Sequence, residues 1–111
     1  MEPIGLLAQS TVSDLEAAHA WYATVLGREA DAAPMPGLLE WHFSDDAGVQ
    51  VWEDPTRAGS STTVVEVADL DEELTKLEEN GIRHDDPMHT PDFRVVTLED
   101  PDHTRLILTG D

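Results

Sequence analysis

The chain has 111 residues, with 24 Asp and Glu against 6 Lys and Arg, a formal net charge of -18, and no cysteine. That length with 40% apolar residues indicates one folded domain, and so acidic a surface repels phosphate backbones, which removes nucleic acid as a partner. Without cysteine there are no disulfides, thiolate ligands or Cys nucleophiles, and the absence of a leader pattern or of an apolar run near the ~18 to 20 residues of a membrane span points to a cytoplasmic protein with no membrane partner.

The acids fall in small groups, Asp45-Asp46, Asp71-Glu72-Glu73, Glu78-Glu79 and Asp85-Asp86, and form no long block. They read as the solvated surface of a folded chain rather than as a disordered tail. Lys76 is the only lysine, which suits either a GC-rich genome or a saline cytoplasm.

In chain order, residues 4–12 form an apolar stretch that suits a strand, and Ser13-Asp14 then supplies a helix N-cap. The spacing of Leu15, Ala18, Trp21, Tyr22, Val25 and Leu26 predicts a helix with one apolar face, stopped at Gly27. Strands are expected over residues 28–33, 38–44 and 49–54, with turns at Pro34-Met35-Pro36-Gly37 and Asp45-Asp46-Ala47-Gly48. The second half repeats the order: a strand over 62–67, a cap at Asp69, and a helix through Leu70, Leu74 and Leu77 that stops at Asn80-Gly81. Strands near 82–84, 93–98 and 105–108 follow. Asp14 maps to Asp69 and Gly27 to Gly81 at offsets of 55 and 54, the signature of a duplicated βαβββ unit in an α+β protein. The expected organisation is a single domain over 1–111, with module one at 1–54, a turn-rich linker at 55–61 and module two at 62–111.

Three segments carry a family resemblance: VSDLEAAHAWYATVLG (12–27), VQVWEDPTRAGSSTTVVEVADLDEELTKLEENGI (49–82) and LEDPDHTRLIL (98–108). In this order and spacing they resemble the vicinal oxygen chelate superfamily, the glyoxalase, bleomycin-resistance and extradiol-dioxygenase group, across essentially the whole chain. The resemblance implies two βαβββ modules whose strands make a cupped mixed sheet with helices outside and a ligand cavity within. His103 departs from the family look, because the turn after Asp100-Pro101-Asp102 often carries glycine there.

Metal-dependent relatives hold one divalent ion with His, Glu or Gln from four strand positions, since oxygen and imidazole donors must converge to replace its water shell. The resemblance places those positions at Leu7, Gln50, Thr62 and Ile107. Three of the four are not ordinary ligands, and the neighbours Leu6, Ala8, Leu106 and Leu108 offer nothing, so the expectation is a scaffold without metal or other cofactor. The five histidines, His19, His42, His84, His89 and His103, show no i, i+2 or i, i+4 pair. They read singly as exposed or hydrogen-bonded groups, and His42 is the one that merits a test.

If Asp45 to Gly48 is a four-residue hairpin loop, Ser44 pairs with Val49, Phe43 with Gln50 and Trp41 with Trp52, and paired side chains share a face. Gln50 faces the cavity by family analogy, so Trp41, Phe43 and Trp52 join it. Leu7 and Gln9 come from the first strand, Thr62 and Val64 from the fifth, and Arg105 and Ile107 from the last. Trp21 reads as core. Neither a Ser-His-Asp order nor a phosphate loop is present, while Glu53 or Glu66 could serve as a general base.

Three functions fit. One is a metal-independent small-molecule-binding protein of the bleomycin-resistance type, sequestering an aromatic or cationic compound. Another is an isomerase, lyase or dioxygenase-type enzyme with a degenerate or rebuilt metal site around His42 and Gln50. The third is a non-catalytic homodimer, and dimerisation is in any case what the resemblance implies.

Overall fold

A computed structural model describes residues 1–111. The elements are β1 (Leu6–Val12), α1 (Leu15–Leu26), β2 (Ala32–Met35), β3 (Leu38–Ser44), β4 (Ala47–Glu53), β5 (Thr62–Glu66), α2 (Leu70–Glu79), β6 (Met88–His89), β7 (Arg94–Glu99) and β8 (Arg105–Gly110). They form two four-stranded mixed sheets of the same plan, β1-β4-β3-β2 and β5-β8-β7-β6. In each, the strand before the helix pairs in parallel with the last strand, and the remaining pairs are antiparallel.

The helices start and stop where local chemistry dictates. Asp14 is extended and its carboxylate accepts the Glu16 and Ala17 amides, while Gly27 takes a left-handed conformation at φ 80° and donates back to Ala23. Asp69 caps α2 by accepting from the Glu72 amide, and Gly81 closes it at φ 74°.

Strand alternation gives each sheet one buried and one open face. Ser10, Val12, Trp41, Val49 and Val51 are buried in the first sheet, and Thr63, Val96, Leu98, Leu106 and Leu108 in the second. Ala18, Tyr22, Leu70, Leu74 and Leu77 from the helices join the apolar ones among them in a cluster of 13 buried residues drawn from both modules, so the two halves share a core. Hydrogen bonds tie the modules at one end. The buried Tyr22 hydroxyl donates to Asp100 Oδ2 at 3.0 Å, the Thr104 hydroxyl to the Thr11 carbonyl at 3.3 Å, and the Ser13 amide to Asp102 Oδ2 at 2.8 Å. Burial holds the Tyr22 hydroxyl far above the usual tyrosine pKa, so it stays a donor.

Three elements differ from expectation for identifiable reasons. β2 lies at Ala32–Met35 rather than 28–33: the Arg28 and Asp31 side chains bind the backbone of His42, and the first backbone bond to β3 is the Asp31 amide to the Glu40 carbonyl at 2.8 Å. β6 lies at Met88–His89 rather than 82–84. There Asp85 Oδ1 accepts the Thr97 amide at 2.7 Å, standing in for a strand carbonyl. The β3–β4 turn is Asp45-Asp46, shorter than the expected four residues, with Ser44 opposite Ala47, and a bulge falls between His42 and Ser44.

Candidate functional site

That bulge decides which side chains reach the open face. Shortening the turn from four residues to two keeps each side chain on its side, but the extra residue Phe43 flips everything beyond it. Trp41 pairs with Val49, Glu40 with Gln50 and Leu38 with Trp52. The expected pairings of Trp41 with Trp52 and Phe43 with Gln50 are therefore corrected. Trp41 leaves the proposed pocket wall for the core. It is fully buried, its indole nitrogen donates to the Arg28 carbonyl at 2.9 Å, and its ring packs on Tyr22 and His19. The bulge is held by side chains: Asp31 Oδ2 accepts the His42 amide at 2.6 Å, and Arg28 donates to the His42 carbonyl and to Asp31. The His42 amide, then Arg28, keeps the Asp31 carboxyl below its usual pKa.

The open face of module one is built in cross-strand rows. Leu7, Gly48 and His42 make one, Gln9, Gln50 and Glu40 the next, and Thr11, Trp52 and Leu38 the third. The middle row is hydrogen-bonded throughout. Gln9 Nε2 donates to Gln50 Oε1 at 3.1 Å, Gln50 Nε2 donates to Glu40 Oε2 at 2.6 Å, and His42 Nε2 meets Glu40 Oε1 at 2.9 Å. Hydrogen bonds first from His42 and then from Gln50 lower the Glu40 pKa, so it is ionised at neutral pH and acts only as an acceptor. Glu40 thereby fixes the direction of the chain: both amides turn their NH2 groups toward it, and Gln9 Oε1 is left as the free acceptor at the far end. A depression of about 750 Å³ opens beside the His42 end, lined in part by Leu7, His42, Phe43 and Asp46. Trp52 stands one row along, partly buried, its indole against the Pro36-Gly37 turn, where a β-carbon on Gly37 would lie 3.4 Å from the ring.

Module two places Thr62, Val64, Arg105 and Ile107 on its own open face, in rows Thr62, Arg105, Glu99 and Val64, Ile107, Thr97. Its middle row carries the apolar Val64 and Ile107 where that of module one has Gln9 and Gln50, and Val64 is 61% exposed. Arg105 lines a polar cavity of about 620 Å³ with Arg83, His84, Thr97 and Glu99. None of the sizeable cavities joins the open faces of both modules. The expected residues thus form two groups, Leu7, Gln9, Gln50 and Trp52 in one and Thr62, Val64, Arg105 and Ile107 in the other, with Phe43 half-exposed at the bulge. Glu40 is the member of the hydrogen-bonded row that pattern reading missed. The signal for it was Gly48, a glycine inside a strand opposite His42, where a β-carbon would lie 2.3 Å from the Trp41 carbonyl oxygen.

The four metal positions of the resembled family do not suit a divalent ion, since Leu7 and Ile107 carry no donor and Thr62 only a hydroxyl. No group of three or more His, Asp or Glu comes together that could hold one. Four of the five histidines each meet a single glutamate instead: His19 with Glu29, His42 with Glu40, His84 with Glu78 and His103 with Glu99. No helix is long and apolar enough to cross a membrane.

No protein-family model and no curated protein sequence matches the chain. Solved structures do. A glyoxalase/bleomycin resistance protein from Catenulispora acidiphila is 28% identical over 97% of this chain and 98% of its own, with a TM-score of 0.89. TnmS3, an antibiotic-binding protein from a Streptomyces species, is 26% identical over 96% and 93%, with a TM-score of 0.80. Lactoylglutathione lyase from Agrobacterium tumefaciens shares the fold at 19% identity over 95% and 91%, with a TM-score of 0.77.

Proposed function

The chain belongs to the vicinal oxygen chelate superfamily and has its glyoxalase/bleomycin resistance fold, and we propose that within that superfamily it is a metal-independent protein that binds an aromatic, cationic small molecule in the cytoplasm. The observation that carries this reading is the polarised row Gln9-Gln50-Glu40-His42 beside Trp52, in which Gln50 is one of the four positions that the family resemblance assigns to metal ligands. Its chemistry selects the ligand. An ionised carboxylate and a free amide oxygen accept hydrogen bonds, an indole face attracts a cation, and the chain's acidic field raises the local cation concentration. The likeness to an antibiotic-binding protein supports a binding role.

The ligand site is completed by a second copy. Leu7 at 40% and Val64 at 61% exposure leave apolar area on the two open faces, and pairing the polar row of one face with the row Val64-Ile107 of another would enclose a small molecule.

Titrations with planar aromatic amines and their neutral isosteres test the reading, with Trp52 fluorescence as the signal. The cations should bind more tightly, and Glu40→Gln should weaken them by up to about fivefold while leaving the isosteres unchanged. Nickel, zinc, cobalt and manganese should bind no better than to surface carboxylates, and methylglyoxal with thiol should show no turnover. The 2.9 Å approach of His42 to Glu40 favours one other reading, a rebuilt metal centre. Saturable one-to-one metal binding lost in both His42→Ala and Glu40→Gln would replace the metal-independent reading with it.

A further inference from the structure

The two modules are built alike but their junctions are not. Counting from the caps Asp14 and Asp69, Tyr22 of α1 and Leu77 of α2 occupy the same place in the repeat. Tyr22 fills its junction, fully buried and with its hydroxyl on Asp100 in the β7–β8 turn. Leu77 is shorter and has no hydroxyl. On its side, where α2 meets the β3–β4 hairpin, a recess of about 280 Å³ remains. Its walls are apolar and come from both modules, among them Val25, Leu26, Val65 and Leu108, with Phe43 beside them at 48% exposure. The only charged groups lining it are Glu66 and Glu73, and no basic residue does. Glu66 enters no ion pair among those the chain forms. Glu73 meets only Lys76, at 3.8 Å, and that ammonium lies closer to Glu72, at 3.3 Å.

An apolar recess with under-neutralised carboxylates along it has a definite complement. We propose that the junction between α2, β5 and the β3–β4 bulge is a second binding site, for a small amphiphilic cation: a primary ammonium whose apolar group enters beside Leu77 and Phe43 while its charge is held by Glu66 and Glu73. The volume admits a phenyl ring with a short chain but not a drug-sized ligand. Carboxylate, apolar wall and acidic surroundings favour the ammonium over a neutral or anionic isostere. Val65 and Leu108 reach the recess from the buried side of the second sheet, and Glu66, the next residue along and the last of β5, lines its rim from the other side. The site lies away from the Gln9-Gln50-Glu40 row and stands independently of the function proposed above.

Amide-resolved NMR titration with 2-phenylethylammonium, with 2-phenylethanol and 3-phenylpropionate as isosteres, tests it. Saturable shifts are expected at Leu26, Phe43, Val65, Val67 and Leu77, with the ammonium binding more tightly than the alcohol and the carboxylate more weakly than either. Glu66→Gln with Glu73→Gln should weaken the ammonium by up to about fivefold and leave the alcohol unchanged. Leu77→Tyr, which restores the side chain present in the other junction, should abolish binding. Should that variant fail to fold, Leu77→Phe, judged by its own melting curve, puts a ring without the hydroxyl into the same space and should weaken binding. Equal affinities for the three probes, shifts confined to Gln9, Gln50 and Trp52, or no saturable shift at millimolar probe would each overturn the proposal.

Discussion

A β-carbon on Gly48 would sit 2.3 Å from the Trp41 carbonyl oxygen and 3.2 Å from the His42 α-carbon, backbone atoms that cannot swing aside. Gly48→Ala should therefore lower the urea midpoint by an amount equivalent to about 2 kcal/mol, the scale of overpacking a fitted interior. An unchanged midpoint would mean that β3 and β4 are not in this register. His84 offers a second check through pH. Its ring nitrogens meet the Asp85 carbonyl and Glu78, and these contacts, the carbonyl first, raise its pKa above the ordinary histidine value. A raised folded pKa means that the charged form favours folding. The stabilisation is then complete below the unfolded pKa of about 6.5 and fades as pH climbs through the folded value. The stability gap between the native chain and His84→Gln should be wide near about pH 5.5 and close toward about pH 8.5. A gap that ignores pH would show that His84 does not titrate across this range in the folded protein.

The helix ends were readable because they depend on neighbours in sequence: Asp14 with the second and third amides after it, Asp69 with the third, and glycines at the stops. The β3–β4 hairpin was not. Its register rests on Arg28 and Asp31 reaching the backbone of His42 across 14 and 11 residues, and periodicity carries no trace of that contact. One bulged residue then exchanged Trp41 for Glu40 on the open face, while Leu7, Gln9, Gln50 and Trp52 keep a face without any bulge between them. The two indoles should behave accordingly. Trp41→Phe should destabilise by at least about 1 kcal/mol, through lost packing and an orphaned Arg28 carbonyl, and leave ligand-dependent fluorescence intact. Trp52→Phe should do the reverse, costing little stability and removing the signal. If quenching vanishes in Trp41→Phe instead, the bulge is misplaced.

At the level of the whole molecule, charge and exposed apolar surface oppose each other. A formal charge of -18 per chain resists pairing, while Leu6, Leu7 and Val64 favour it. Sedimentation should show a dimer that tightens between about 0.01 M and 0.15 M salt, as the Debye length falls from ~30 Å to ~8 Å. A monomer throughout that range at micromolar concentration would remove the shared site. The bonds that tie the modules also set an order of events in time. Tyr22 to Asp100, Ser13 to Asp102 and Thr104 to Thr11 join residues 78, 89 and 93 positions apart. On a ribosome adding about 5 to 20 residues per second, these first-module residues wait about 4 to 19 s for the hairpin that seats the helix. Throughout that interval Tyr22 and the buried face of the first sheet are uncovered. The acids already synthesised around them, Glu2 to Asp54, repel the same segment on neighbouring nascent chains and so oppose association before the partner strands emerge.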